Sequence, residues 1–288
     1  MTATADQASR LRAMVSQSSP DAPAAGPRCP VVAVASGKGG VGKTNICVNL
    51  ATLLARRRVR TTLIDADAGV ANADVLCGLR PPRRLSAGRS ARDVAIQTPG
   101  GFVLVPGSHA EVNAAGLVRE ATIDAGDWSD LVLLDLSPGV GLDVVRPALS
   151  ADQIIIVTTP EPTAVTDGYA LLKCLTQEAR LDAAAMPAVG VVVNQVRSEQ
   201  EAREVFSRIA AAADRFLGAT PTLAGWVHRD QRVGESVRMQ HPVAERCPRA
   251  RATRDIGRLA DGIASDLRVG RGEVVGMASR VARWLAGR

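Results

Sequence analysis

The stretch from Val31 to Leu50 constrains this 288-residue chain more than any other. An apolar run, Val31 to Ala35, leads into Gly37-Lys38-Gly39-Gly40-Val41-Gly42-Lys43-Thr44, and an amphipathic run follows. Strand, glycine-rich loop and helix in that order form a phosphate cradle. The glycines let the backbone bend until several amides point inward, and the helix N-terminus adds its positive end. In this pattern Lys43 bridges the outer phosphates and the Thr44 hydroxyl holds magnesium, with Gly37 to Asn45 as the expected nucleotide contacts. Lysine usage supports the motif. Of 35 basic residues only Lys38, Lys43 and Lys173 are lysines, and two of these lie in the loop. A compact ammonium serves there where a planar guanidinium fork would not fit.

Further apolar runs follow at Thr61–Ile64, Phe102–Val105, Leu131–Leu134, Ile154–Val157 and Val189–Val193, alternating with longer amphipathic stretches. Short buried strands spaced by helices predict an α/β fold, a mostly parallel sheet with helices on both faces. With 46% hydrophobic but 2% aromatic residues, the core must be built from Val, Leu, Ile and Ala. Ligands of such sheets sit beyond the carboxyl ends of the strands. The segments Gly37–Thr44, Asp65–Asp67, Asp135–Gly139 and Thr158–Pro162 all follow strand ends, so they converge on one site. Near a magnesium triphosphate, Asp65 and Asp67 are placed for contacts to the metal's waters and for orienting an attacking water; as an alternative, the pair only caps the next turn. Asp135 closes a buried strand in the same way. Asn194 ends another, where its carboxamide can pair with an adenine edge or serve as an ordinary turn residue.

The expected organisation is a short helix over residues 1–16, a Ser/Pro/Ala/Gly-rich linker over 17–30, the ATPase domain over 31–268 and an amphipathic helix over 269–288. In the first helix Ala8, Leu11, Met14 and Val15 share a face, with Asp6 as cap. In the last, Val274, Met277, Val281, Trp284 and Leu285 fall near one face, with Arg280, Arg283 and Arg288 elsewhere around it. A formal charge of +6 permits association with nucleic acid or anionic lipid without deciding between them. The run Arg56-Arg57-Arg58-Val59-Arg60 reads as a solvated helix end or part of a nucleic-acid patch. Five scattered cysteines without a Cys-x-x-Cys pair read as reduced thiols, not a disulfide framework or zinc site. No stretch approaches the roughly 20 apolar residues of a membrane span, and the polar N-terminus lacks a signal peptide's apolar core, so a cytoplasmic location is expected. His228 and His241 have no neighbouring partner pattern and receive no metal or catalytic role.

Lys38, in Lys-Gly-Gly-x-Gly-Lys-Thr, resembles the signature lysine of the MinD/ParA family of deviant Walker ATPases. That resemblance implies a homodimer that sandwiches ATP, with Lys38 reaching across to the partner's phosphates. It gives the water-positioning role to Asp67, a loop or magnesium role to Asp65, water-mediated magnesium binding to Asp135 and adenine recognition to Asn194. It also brings Glu161 towards the dimer seam or ribose. Leu136 departs from the family pattern, which often has Ser or Thr after this aspartate.

The likeness narrows to the FlhG/FleN flagellar-number regulators. It is carried by Asp6-Gln7-Ala8 with Leu11-Arg12, Leu63–Asp67 running on to Ala71–Leu76, Thr158–Lys173, and Val193–Glu199 through Val205-Phe206. It implies that Asp6, Gln7, Ala8 and Leu11 engage an FlhF-like GTPase of the signal-recognition-particle type, the alternative being a helix that packs on its own domain. It further implies that the C-terminal helix meets an anionic membrane surface, giving reversible peripheral association with the inner face; as an alternative, that helix docks its apolar face on the domain. Flagellar basal-body switch proteins are further expected partners, and nucleic acid is not. The resulting expectation is a slow, dimerising switch ATPase that uses ATP and Mg2+ to control flagellar number or placement. Its rivals are a nucleoid-binding partition ATPase, a non-hydrolysing nucleotide-dependent scaffold and, from Cys77, an iron-sulfur carrier.

Overall fold

A computed structural model describes residues 29–67, 71–108 and 114–267. The proposed N-terminal helix and the C-terminal amphipathic helix lie outside the described residues. Eight strands form one sheet in the order β3-β4-β2-β5-β1-β6-β7-β8. They are β1 (Val31–Ser36), β2 (Thr61–Ala66), β3 (Ile96–Gln97), β4 (Val103–Val105), β5 (Leu131–Pro138), β6 (Gln153–Thr158), β7 (Ala188–Val196) and β8 (Thr222–His228). Every pairing is parallel except β3 with β4.

Both faces of the sheet are buried, which is why its central strands read as unbroken apolar runs. On β1, Val31, Ala33 and Ala35 enter one core while Val32 and Val34 enter the other. The first core is covered by α4 (Ala114–Gly126), α5 (Leu142–Leu149), α6 (Pro162–Leu181) and α7 (Glu199–Leu217). The second is covered by α1 (Lys43–Arg56) and α10 (Arg251–Asp266), with the short α2 (Ala73–Leu76) and α9 (Val243–Arg246) at its margin. Two more helices, α3 (Ala91–Val94) and α8 (Gln231–Arg238), complete the described elements.

The six apolar runs are all strands. Five of them extend beyond the apolar run, with β5 running through Ser137 to Pro138, whereas β4 starts one residue inside its run. Two strands are missed by the sequence reading. β3 has only two residues. β8, Thr-Leu-Ala-Gly-Trp-Val-His, is an edge strand whose apolar alternation is interrupted by Gly225, held at φ 152° against Leu259 of α10. The order of strands turns about β1, between β5 on one side and β6 on the other, and this opens a crevice at the carboxyl ends where the loops gather.

Candidate nucleotide site

The loop between β1 and α1 is held from three directions. Ser36 donates its hydroxyl to the Lys38 carbonyl at 3.0 Å. A Cβ on Gly37 would lie 2.0 Å from the backbone oxygen of Asp167 on α6, so the start of the loop packs where no side chain fits. Gly42 is left-handed at φ 88°, and its missing Cβ leaves room for Asn194, whose Nδ2 donates to the Val41 carbonyl at 2.7 Å. Lys43, Thr44 and Asn45 then occupy the first turn of α1.

Strand register brings the carboxylates beneath this loop. Asp65 of β2 and Asp135 of β5 are direct partners in the ladder, and both side chains are buried. Lys43 Nζ reaches Asp135 Oδ1 at 2.5 Å, a pair with 6% and 0% of its side-chain surfaces exposed. Cys47 donates its thiol to the same oxygen at 3.4 Å. Burial alone would push the Lys43 ammonium down, but Asp135 beside it outweighs this and holds its pKa above that of an ordinary lysine. Burial, followed by the nearby charge of Asp135, pushes Asp65 up to about 7, against the opposing pull of amides donated by Ala73 and Asp67. Asp135 Oδ2 is buried without a hydrogen-bond partner. Oxygens from adjacent carboxylates, one of them spare, are the donors a hard cation such as magnesium prefers, so these residues suit that ion. Asp67 lies at the rim, with its Oδ1 3.2 Å from the Ser137 hydroxyl. That hydroxyl stands one residue beyond Leu136, whose side chain is buried in the core.

A cavity of about 560 Å³ opens beside the loop. Gly40, Gly42 and Asn45 form one end, Asn194 and Gln195 of β7 and His228 of β8 a wall, and α8 the far side. Its size suits a nucleoside. Gln195 sits in a left-handed conformation at φ 60°, where the register between β7 and β8 shifts, and its amide donates to Asn194 Oδ1 at 2.9 Å. One end of the Asn194 carboxamide therefore fixes the loop and the other the turned backbone at Gln195, and each keeps a second hydrogen-bonding direction.

The model of the CobQ/CobB/MinD/ParA nucleotide binding domain matches residues 32–243. The chain belongs to the MinD/ParA family of P-loop ATPases. It is 39% identical to the antiactivator FleN of Pseudomonas aeruginosa over 77% of this chain and 82% of that one. It is 26% identical to the flagellum site-determining protein YlxH of Helicobacter pylori over 84% of each chain. Among solved structures, MinD of Pyrococcus furiosus aligns with a TM-score of 0.67 at 21% identity, over 82% of this chain and 98% of that one. MinD of Pyrococcus horikoshii, solved with Mg-ADP, aligns with a TM-score of 0.65 at 20% identity, over 82% and 96%. The MinD-like fold and the FlhG/FleN likeness read from the sequence both hold.

Within this MinD/ParA frame, Lys38 extends away from the buried carboxylates. Its Nζ donates to Glu161 Oε1 and Thr163 Oγ1, both at 2.9 Å, at the start of α6. These hydrogen bonds, first from Lys38 and then from Thr163, hold the Glu161 carboxyl below its usual range. The arginines of the run are exposed, as a solvated helix end would be, and Arg56, Arg57 and Arg60 also make side-chain hydrogen bonds. Arg56 donates to the Ala244 carbonyl, Arg57 to Asp261 and the Gly257 carbonyl, and Arg60 to Asp130. Those contacts fasten α1 to α9 and α10 and β2 to the start of β5, uses the solvated-end reading did not include. All five cysteines are free thiols. Among the described residues no helix is long and apolar enough to cross a membrane.

His228, read as having neither a metal nor a catalytic role, has hydrogen-bond partners far along the chain. Its Nδ1 is 2.7 Å from Asp255 Oδ2 and its Nε2 2.8 Å from Arg251 Nη2, both on α10. Asp230 was also missed. Its carboxylate accepts from Arg232 N at the start of α8 and from Arg251 N at the start of α10, so one side chain caps two helices. An aspartate shortly before a helix is a sequence sign of a cap, but the second helix, 21 residues on, is legible only in three dimensions.

Proposed function

We propose that this MinD/ParA-family protein is an ATP-dependent dimerising switch that hydrolyses ATP to ADP and phosphate and regulates flagellar number or placement. The observation that carries the reading is the contrast between its two loop lysines, Lys43 sealed against Asp135 and Lys38 outside on Glu161. Kinship with the antiactivator FleN and with YlxH, the latter named for determining the flagellum site, supports the biological output.

In this reading the phosphates lie in the loop from Gly37 to Thr44 and draw Lys43 away from Asp135. Thr44, with Asp65 and Asp135 through water, would hold magnesium, which supplies charge neutralisation on the phosphates when bound. Asp67, braced by Ser137, orients the attacking water. The base enters the cavity beside Asn194. Lys38 exchanges Glu161 for the phosphates of a second copy, so the nucleotide joins the dimer. Asp6, Gln7, Ala8 and Leu11 would engage an FlhF-like GTPase, and the helix carrying Val274, Met277, Val281, Trp284 and Leu285 an anionic membrane surface. Pairing two weak lipid anchors in the dimer raises avidity and ties membrane residence to ATP.

The test is the solution mass of Asp67→Ala protein with magnesium and either ATP or ADP. Doubling with ATP alone supports the switch, whereas a monomer in both leaves a nucleotide-dependent scaffold as the better description.

A further inference from the structure

We infer that His228 is a positioning residue for the nucleobase, an imidazole clamped by Asp255 and Arg251 so that it presents the cavity with a flat wall lacking any free hydrogen-bonding atom. The inference rests on the nucleotide reading above and adds to it what shapes the base end of the site.

The clamp fixes the protonation of the ring. A guanidinium only donates, so Nε2, 2.8 Å from Arg251, must be the acceptor and carries no proton. Nδ1 therefore holds the proton and donates it to Asp255 Oδ2 at 2.7 Å, an oxygen that also accepts the backbone amide of His228 at 3.0 Å. Both ring nitrogens are thus occupied by hydrogen bonds. Asp255 is fully buried, and Arg258 lies 3.2 Å from its other oxygen. Arg251 is set in turn by Asp230, which accepts its amide at 3.0 Å.

His228 nevertheless lines the same cavity as Gly42 and Asn194. With its nitrogens engaged it can offer that cavity only carbon, and a rigid planar aromatic surface suits stacking against a planar heterocycle. Stacking accepts any base, because every base has a π-face. This divides the labour at the base end: His228 supports the plane of the base, and the edge is left to groups with free hydrogen-bonding directions, such as Asn194.

The experiment compares His228→Ala with the wild-type protein by calorimetric titration with Mg-ATP, Mg-GTP and inorganic tripolyphosphate, which has no base. The expected result is roughly tenfold weaker ATP binding, the size of one lost base–aromatic stack. GTP should weaken by the same factor, and tripolyphosphate should stay within about twofold. Equal weakening of ATP and tripolyphosphate, or unchanged ATP affinity, overturns the inference. A wild-type protein that binds neither overturns the reading of the phosphate loop as well. A second measurement avoids the variant altogether: with only three histidines in the chain, the His228 ring protons can be resolved by NMR. Nuclear Overhauser contacts from them to base protons of bound ATP are expected, and their absence from a saturated complex refutes the wall.

Discussion

Lys43 and Lys38 sit in one loop, each against a carboxylate, and have opposite physical characters. Lys43 and Asp135 expose 6% and 0% of their side chains, whereas Lys38 and Glu161 expose 30% and 58%. Removing one partner of a buried pair leaves an uncompensated charge where water cannot reach it. An exposed pair is screened and holds its geometry weakly, with a typical worth of about 0–1 kcal/mol. The difference teaches what each lysine is fitted for. Lys43 gives up its carboxylate only when something equally anionic replaces it, so phosphate is the natural exchange. Lys38 can change partners at little cost, as its proposed reach to a second copy requires.

The comparison is broken most directly at Lys43. Lys43→Ala should abolish measurable ATP binding and also destabilise the nucleotide-free protein by about 3 kcal/mol, the cost of leaving Asp135 unpaired beside Asp65. Chemical denaturation of the free protein reads the second effect, and an unchanged midpoint would contradict the claim that the pair stabilises the empty site. Loss of Asp67, the carboxylate proposed to position the water, comes next. Asp67→Ala should cut turnover by about 100-fold or more while ATP affinity changes by no more than about threefold, since a general base acts on the barrier.

The buried side carries its pH signature through Asp65, whose carboxyl is shifted up where that of Glu161 is shifted down. The folded pKa of Asp65 lies above its unfolded value, so the folded state binds the extra proton between about pH 4 and pH 7. The contribution is fully present below that window and lost as pH rises through about 7, with a slope of at most about 1.4 kcal/mol per pH unit. Denaturation of the nucleotide-free protein from pH 5 to 8 should show this decline, and Asp65→Asn should flatten it. A slope of equal size in the variant would assign the effect elsewhere. The smallest expected effect is on the exposed side. Lys38→Ala should shift stability by less than about 0.5 kcal/mol and keep ATP binding, yet lose the ATP-dependent dimer. An ATP-dependent doubling of mass in that variant would falsify the exchange of Glu161 for a second copy's phosphates.

Legibility in the sequence followed the range of the interactions. Strands buried on both faces announced themselves as apolar runs, and the phosphate loop is contiguous, so the core of the fold and residues 37–45 could be read in order. Asp65, Asp67 and Asp135 were found because strand ends of a parallel sheet must meet. What escaped depends on pairs with no local pattern. The partners of His228 escaped because Asp255 lies 27 residues away, and those of the exposed Arg56 and Arg57 escaped because the carbonyls and carboxylate that accept from them sit on α9 and α10. Edge strand β8 escaped because its inner face is completed by a glycine packed on Leu259 in place of an apolar side chain. The Ser137 hydroxyl at Asp67 was obscured by position, since the family pattern directs attention to residue 136 and the hydroxyl arrives at 137.

Gly37 has a consequence of a different sort. The space its side chain would fill is taken by the main chain of α6, so this glycine works as a spacer gauge between the central strand and the helix that begins just after Glu161. Any larger residue there would force the helix outward and carry the partner of Lys38 with it. Two demands are superimposed on one motif: some of its glycines shape the cradle, and this one sets a clearance. A substitution at residue 37 that weakened nucleotide binding would therefore be misread as a lost phosphate contact, when the primary fault would be a displaced wall.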